Sequence, residues 1–89
     1  MKSLYNALAC IKTEKELNLF LKDLCTPGEI NALNERWEIA QMLYKGAMSY
    51  RDIAQKTGAS ITTVTRVARF LKDEPNKGYL TVLNRIHHA

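Results

Sequence analysis

Between Ser49 and Leu71, two short runs of helix-spaced apolar residues flank a single glycine, Gly58, and no other feature of the 89-residue chain restricts its fold as much. Ser49-Tyr50-Arg51-Asp52 has the residue types that close the first turn of a helix, and the helix it opens carries Ile53 and Ala54 inward. Gly58 admits the left-handed backbone that ends such a helix in a sharp turn. Ser60 then caps a second helix, from Ile61 to about Lys72. Ala54 is small, as the crossing of two close helices requires. Ile53, Ala59, Val64 and Val67 fill the wedge between them, and Ile61 and Leu71 are expected to join that wedge to the rest of the core. A short helix, a glycine turn and a second helix at this spacing form a helix-turn-helix unit.

With those positions inward, the other side of the second helix is fixed. Thr62, Thr65, Arg66 and Arg69 share one face, with no acidic residue in the helix. Arginines reach base edges or phosphates, and threonines offer a hydroxyl to phosphate or a methyl to thymine. Ser60 and Thr63 set the helix N-terminus beside a phosphate. Tyr50 and Arg51, in the first turn of the supporting helix, are phosphate-contact candidates, and Lys72 and Lys77 extend the basic surface. Lys45 and Lys56 have two readings, as phosphate contacts or as solubilising charges. The alternative for the whole unit is an ordinary helical corner with a solvated polar face, in a protein-interaction or structural module.

The remainder also reads as helix, so the fold class is all-α. From Leu4 to Leu24, the residues Leu4, Leu8, Ile11, Leu17, Phe20, Leu21 and Leu24 recur at three and four, with a longer gap at Thr13 to Glu16. Thr13 and Glu16 form a possible capping box, which leaves one helix or two open. Thr26-Pro27-Gly28-Glu29 opens another helix, through Ile30, Leu33, Trp37, Ala40 and Leu43, stopping at Gly46. Asp73, Glu74, Pro75, Asn76 and Gly78 break the chain, and a last short helix carries Tyr79, Leu80, Val82, Leu83 and Ile86. No stretch alternates cleanly, so no sheet is expected. The whole reads as a single domain, 1–89, with a helical dimerisation region at 1–45, the helix-turn-helix at 49–72 and a C-terminal helix at 78–87.

A lone chain of this length buries only about 60–65% of the surface its unfolded form exposes, so a partner subunit would help it. Leu4, Leu8, Ile11, Leu17, Phe20, Leu21, Leu24, Ile30, Leu33 and Trp37 are the candidate interface. The alternative is that they close only their own monomer core. Thirteen Lys plus Arg against nine Asp plus Glu give a formal net charge of +4, compatible with a polyanion without establishing one. Cys10 and Cys25 lack a zinc-binding spacing and read as buried, reduced thiols, with a disulfide as the alternative. No apolar run is long enough to cross a bilayer, and no secretory leader opens the chain, which makes the expected location cytoplasmic and the membrane no partner. Metal-protease and phosphate-loop motifs are lacking, so no enzyme activity, catalytic residue, metal or cofactor is expected. His87 and His88 are given no role.

Thr26-Pro27, Ala32-Leu33, Arg36, Gly46-x-Met48-Ser49-x-Arg51, Gly58-Ala59, Ile61-x-Thr63, Thr65-Arg66 and Leu71-Lys72 resemble the tryptophan repressor superfamily, in particular its shorter TrpR-like relatives. The correspondence runs from about Thr26 to Lys72. The resemblance implies an intertwined homodimer whose two heads enter successive major grooves of double-stranded DNA, about 34 Å apart on a pseudo-palindrome, and repress a promoter. It also implies an effector pocket. Arg36 and Arg66 match the two arginines that hold the family's corepressor, and Thr26 matches a nearby pocket residue. Where the family has a glycine after the second arginine this chain has Val67, and where it has a serine three positions further on this chain has Phe70. Overpacking of that kind costs about 1–3 kcal/mol, so Val67 and Phe70 are expected to fill the pocket and L-tryptophan is not the expected ligand. A different effector remains open, because Arg36 and Arg66 could still grip a carboxylate. Otherwise Arg66 simply meets DNA and Arg36 caps or pairs within the dimer.

Overall fold

Side-chain caps set most of the helix starts. A computed structural model describes residues 1–88. Within them lie α1 (Leu4–Ala9), α2 (Glu14–Leu24), α3 (Pro27–Lys45), α4 (Tyr50–Thr57), α5 (Ile61–Lys72) and α6 (Gly78–His88), and no strand. The N-terminal stretch is two helices. The Thr13 hydroxyl accepts from the Glu16 amide at 3.1 Å, while the Glu16 carboxylate reaches past it to the Lys12 amide at 3.0 Å. At α3 the capping box is complete: the Thr26 hydroxyl accepts from the Glu29 amide at 3.1 Å, and the Glu29 carboxylate accepts from the Thr26 amide at 2.8 Å. Those bonds favour the ionised form, so the Thr26 amide and hydroxyl hold the Glu29 carboxyl below the usual glutamate value. A further box, Ser3 with Asn6, starts α1 and was not anticipated from the sequence.

The chain divides into two units, Met1–Ala32 and Leu33–Ala89. In the first, no residue of α1 or α2 is buried. The second has its own core of Ile39, Ala40, Leu43, Ile53, Val64, Val67, Ala68, Leu71 and Leu83, drawn from α3, α4, α5 and α6. Half-buried Trp37, Met42, Tyr44, Met48, Ala54, Ala59, Tyr79 and Leu80 pack against it.

Helix α5 shows why that core matters. Ile61, Thr62, Thr63, Val64, Thr65 and Val67 are β-branched, and each is about 0.5 kcal/mol poorer than alanine in a helix. The combined cost of roughly 3 kcal/mol is offset twice. Ser60 caps the helix, its hydroxyl accepting from the Thr63 amide at 3.1 Å, which contributes about 1 kcal/mol. Val64, Val67, Ala68 and Leu71 are buried along one stripe, and full burial of a valine or leucine contributes about 1.5–3 kcal/mol. Burial is the larger effect, so α5 depends on its contacts with α4 and α6.

Several expectations need correction. Ile61 does not join the core: it is 49% exposed, because it lies at the edge of the apolar arc in the first turn of α5. The cysteines are both free thiols and neither is buried, Cys10 being exposed and Cys25 half-buried. Cys10 sits at the exposed end of α1, with its thiol on the Ala7 carbonyl at 3.1 Å. Trp37 is half-buried, packs against its own chain's core and stacks on Tyr79 with ring centroids 6.5 Å apart, contacts that leave its interface role as an expectation. His87 is exposed but stacks on Tyr44 at 5.0 Å, and the Tyr44 hydroxyl donates to Asn84 Oδ1 at 2.8 Å. These contacts tie α6 to α3.

Candidate nucleic-acid interface

The turn between α4 and α5 is locked at several points. Ser49 caps α4, accepting from the Asp52 amide at 3.1 Å. At the other end Gly58 takes φ +78° and donates to the Ala54 carbonyl at 2.9 Å. A Cβ at Gly58 would meet no neighbour, so glycine is required by the backbone angle and not by crowding. The Thr57 hydroxyl donates to the Ile53 carbonyl at 2.8 Å and accepts from the Ala59 amide at 3.3 Å. The two helices then pack over Ile53, Val64 and Val67, all essentially without solvent contact.

This packing leaves Thr62, Thr65, Arg66 and Arg69 exposed on α5. With Ile61 they line a shallow hollow of about 310 Å³. Ile61 thus adds an apolar wall to the polar face, suited to a thymine methyl. Its first-turn position, followed by Thr62 and Thr63, is the only sequence signal that it could turn outward. Ser60 is exposed and Thr63 half-buried, and both hydroxyls are engaged with each other at 3.0 Å. Tyr50 and Arg51 are exposed at the start of α4, and the Lys72 ammonium lies 5.6 Å from the Tyr50 ring centroid, joining the beginning of α4 to the end of α5.

The face is less free of acid than α5 alone implies. Glu74, from the segment after α5, pairs with Arg69 Nε at 3.4 Å. Both groups are partly exposed, so this pair adds little stability. Its effect is to occupy the arginine.

The residues expected to line an effector pocket are only partly brought together. Arg66, Val67 and Phe70 border an open hollow of about 370 Å³, with Asn76, Gly78 and Tyr79. Val67 is 1% exposed and packs into the helix-turn-helix core, whereas Phe70 is half-buried at the edge of the hollow. Filling by these two side chains is therefore incomplete. Arg36 is half-buried on α3 and does not line the hollow. Thr26 lies in the N-terminal unit, its hydroxyl spent on the α3 cap. Asn76, Gly78 and Tyr79 were not anticipated as lining residues. Lys77 takes φ +58°, an angle more natural to the Gly78 beside it, and this unusual residue sets the entry to α6.

Among the described residues no cluster of three or more His, Cys, Asp or Glu could hold a metal ion, and no helix is long and apolar enough to cross a membrane.

A family model described as Trp repressor protein matches residues 1–87. The chain belongs to the Trp repressor family. It is 38% identical over 86 residues to "Uncharacterized protein YerC" of Bacillus subtilis (strain 168), covering 97% of this chain and 81% of that protein. It is also 38% identical over 77 residues to a "Trp operon repressor homolog" of Chlamydia caviae, covering 84% of this chain and 76% of the relative. The crystal structure of a TrpR like protein from Eubacterium eligens superposes with a TM-score of 0.87 at 42% identity, covering 94% of this chain and 84% of that one. The Trp repressor family is one of DNA-binding transcription regulators and not of enzymes. The resemblance carried by Thr26-Pro27, Arg36 and the helix-turn-helix motif therefore extends to family membership, and the all-helical TrpR-like fold is that of the solved relatives.

Proposed function

We propose that this protein is a cytoplasmic, sequence-specific repressor that binds a pseudo-palindromic operator as a homodimer and does so without L-tryptophan. The observation that carries the reading is the outward face of α5, where Thr62, Thr65, Arg66 and Arg69 stand exposed around one shallow hollow on a helix with no acidic residue. In this reading Arg66 and Arg69 read base edges and Thr62 and Thr65 add hydroxyl or methyl contacts. Tyr50, Arg51, Ser60, Thr63 and Lys72 hold phosphates, which set register without carrying sequence information.

Dimer formation is supported by the N-terminal unit. Leu4, Leu17 and Leu24 are exposed there, Leu8, Ile11, Phe20, Leu21 and Ile30 are only half-buried, and Leu33 is exposed at the start of the second unit. Independence from tryptophan is supported by Val67 and Phe70, which border the hollow beside Arg66 where the family has glycine and serine.

Selection of bound fragments from random duplex DNA, with and without L-tryptophan, tests the reading. The expected result is one enriched inverted repeat with half-sites about 34 Å apart, the same in both conditions and lost when Arg66 and Arg69 are both changed to Ala. Enrichment of no sequence would refute specific binding, and enrichment only with tryptophan would refute independence from it.

A further inference from the structure

Two arginines of α5 converge on one aromatic ring. The guanidinium carbons of Arg66 and Arg69 lie 4.7 Å and 5.0 Å from the centroid of the Phe70 ring. Phe70 is half-buried while both arginines are exposed, so the head holds the ring and the ring holds the cations. A guanidinium is attracted to an aromatic face by the ring quadrupole and stacks there as a planar group. Arg69 has a second restraint. The Glu74 amide donates to the Arg69 carbonyl at 3.0 Å, which wraps the chain back over the end of α5 and delivers the Glu74 carboxylate to Arg69 Nε at 3.4 Å.

We infer that Phe70 is the positioning residue for Arg66 and Arg69 on the DNA-reading face, and that Glu74 holds Arg69 in the free protein as an internal acceptor, which a base edge of duplex DNA replaces. The inference rests on the reading of α5 as the DNA-facing helix. A long arginine side chain surrenders rotamer freedom when it meets a base edge, and ordering it beforehand removes part of that loss from the binding step. Phe70 does so for two arginines at once, through an i, i+4 contact to Arg66 and an adjacent contact to Arg69. Glu74 acts in the opposite sense: its charge must be parted from Arg69 and then lies near phosphates of like sign. Phe70 therefore raises preference for the correct sequence, and Glu74 lowers affinity for every sequence.

The test compares wild type with Phe70→Leu, Phe70→Tyr and Glu74→Gln by titration against the duplex enriched in selection and against a scrambled duplex, over a range of salt concentrations. Phe70→Leu keeps an apolar side chain and removes the ring. It should weaken binding to the enriched duplex about tenfold and leave the scrambled duplex nearly unchanged, while Phe70→Tyr restores the preference. Glu74→Gln should tighten binding to both duplexes about threefold at low salt, a gain that shrinks as salt rises. Phe70→Tyr and Glu74→Gln are conservative at partly exposed positions, so they report even where Phe70→Leu compromises folding. If wild-type protein prefers no duplex, the reading of α5 fails and the inference with it. If wild type is selective but Phe70→Leu keeps its preference, or Phe70→Tyr loses as much as Phe70→Leu, the positioning role is overturned while the α5 reading stands. Unchanged affinity in Glu74→Gln overturns the exchange.

Discussion

The two units of the chain contain similar apolar residue types and hide them to different degrees. In Leu33–Ala89, Ile39, Ile53, Val64 and Leu83 are completely buried by contacts within one chain. In Met1–Ala32 the leucines of the apolar stripe along α1 and α2 follow equally good helical spacing, yet Leu4 is 49% exposed and Leu24 52%. Helical periodicity thus states which face of an element is apolar, without stating what covers it. The second unit has a buried core of its own even though Ile86 is 58% exposed and Val82 46%, whereas in the N-terminal unit, read as a dimerisation region, no residue of α1 or α2 is buried.

The strongest attack on that contrast is a charge on the uncovered face. Changing Leu17 and Leu24 together to Asp should convert a dimer to single chains, a loss of the order of 4 kcal/mol or more, read as a halved mass by sedimentation. A mass that stays at two chains would mean that these leucines face no partner. A finer comparison sets Leu83→Ala against Leu19→Ala in urea unfolding. Leu83 is fully buried, so its truncation should cost about 2–5 kcal/mol at any protein concentration. Leu19, 55% exposed, should cost less than about 1 kcal/mol, and a larger loss that depends on protein concentration would identify it as covered by a second chain.

The smallest expected effect concerns the cap between α2 and α3. The Glu29 carboxyl is held below its usual value in the folded protein by the Thr26 amide and hydroxyl, so the unfolded chain binds its proton first as pH falls. The stabilising contribution is complete above the usual glutamate range and disappears as pH falls through the lowered value. Glu29→Gln should therefore remove a small rise in urea midpoint between pH of about 3 and about 6, and an unchanged pH profile would show that the cap adds nothing in solution.

Much of the helix-turn-helix was legible because its signals are local. Ser49, Gly58 and Ser60 act through bonds spanning three or four residues, and each takes the role expected of it. The outward position of Thr62, Thr65, Arg66 and Arg69 followed from the inward Val64 and Val67. Ile61 was misplaced because a first-turn residue at the margin of an apolar arc is turned in or out by packing. Glu74 was read only as part of a break, since its reach to Arg69 depends on how the chain leaves α5. The hollow beside Phe70 was likewise hidden, because Asn76, Gly78 and Tyr79 border it only through the way the segment after α5 leads into α6.

The sequence by itself determined where α3, α4 and α5 begin and which polar residues face outward on α5, because capping bonds and a 3.6-residue period are properties of neighbouring positions. Tertiary structure alone decided that Trp37 meets Tyr79, that Tyr44 meets Asn84 and His87, and that Arg69 is shared between Phe70 and Glu74. Such contacts depend on the direction in which each helix leaves its turn, and a change of a few degrees there moves a side chain at the far end beyond bonding distance.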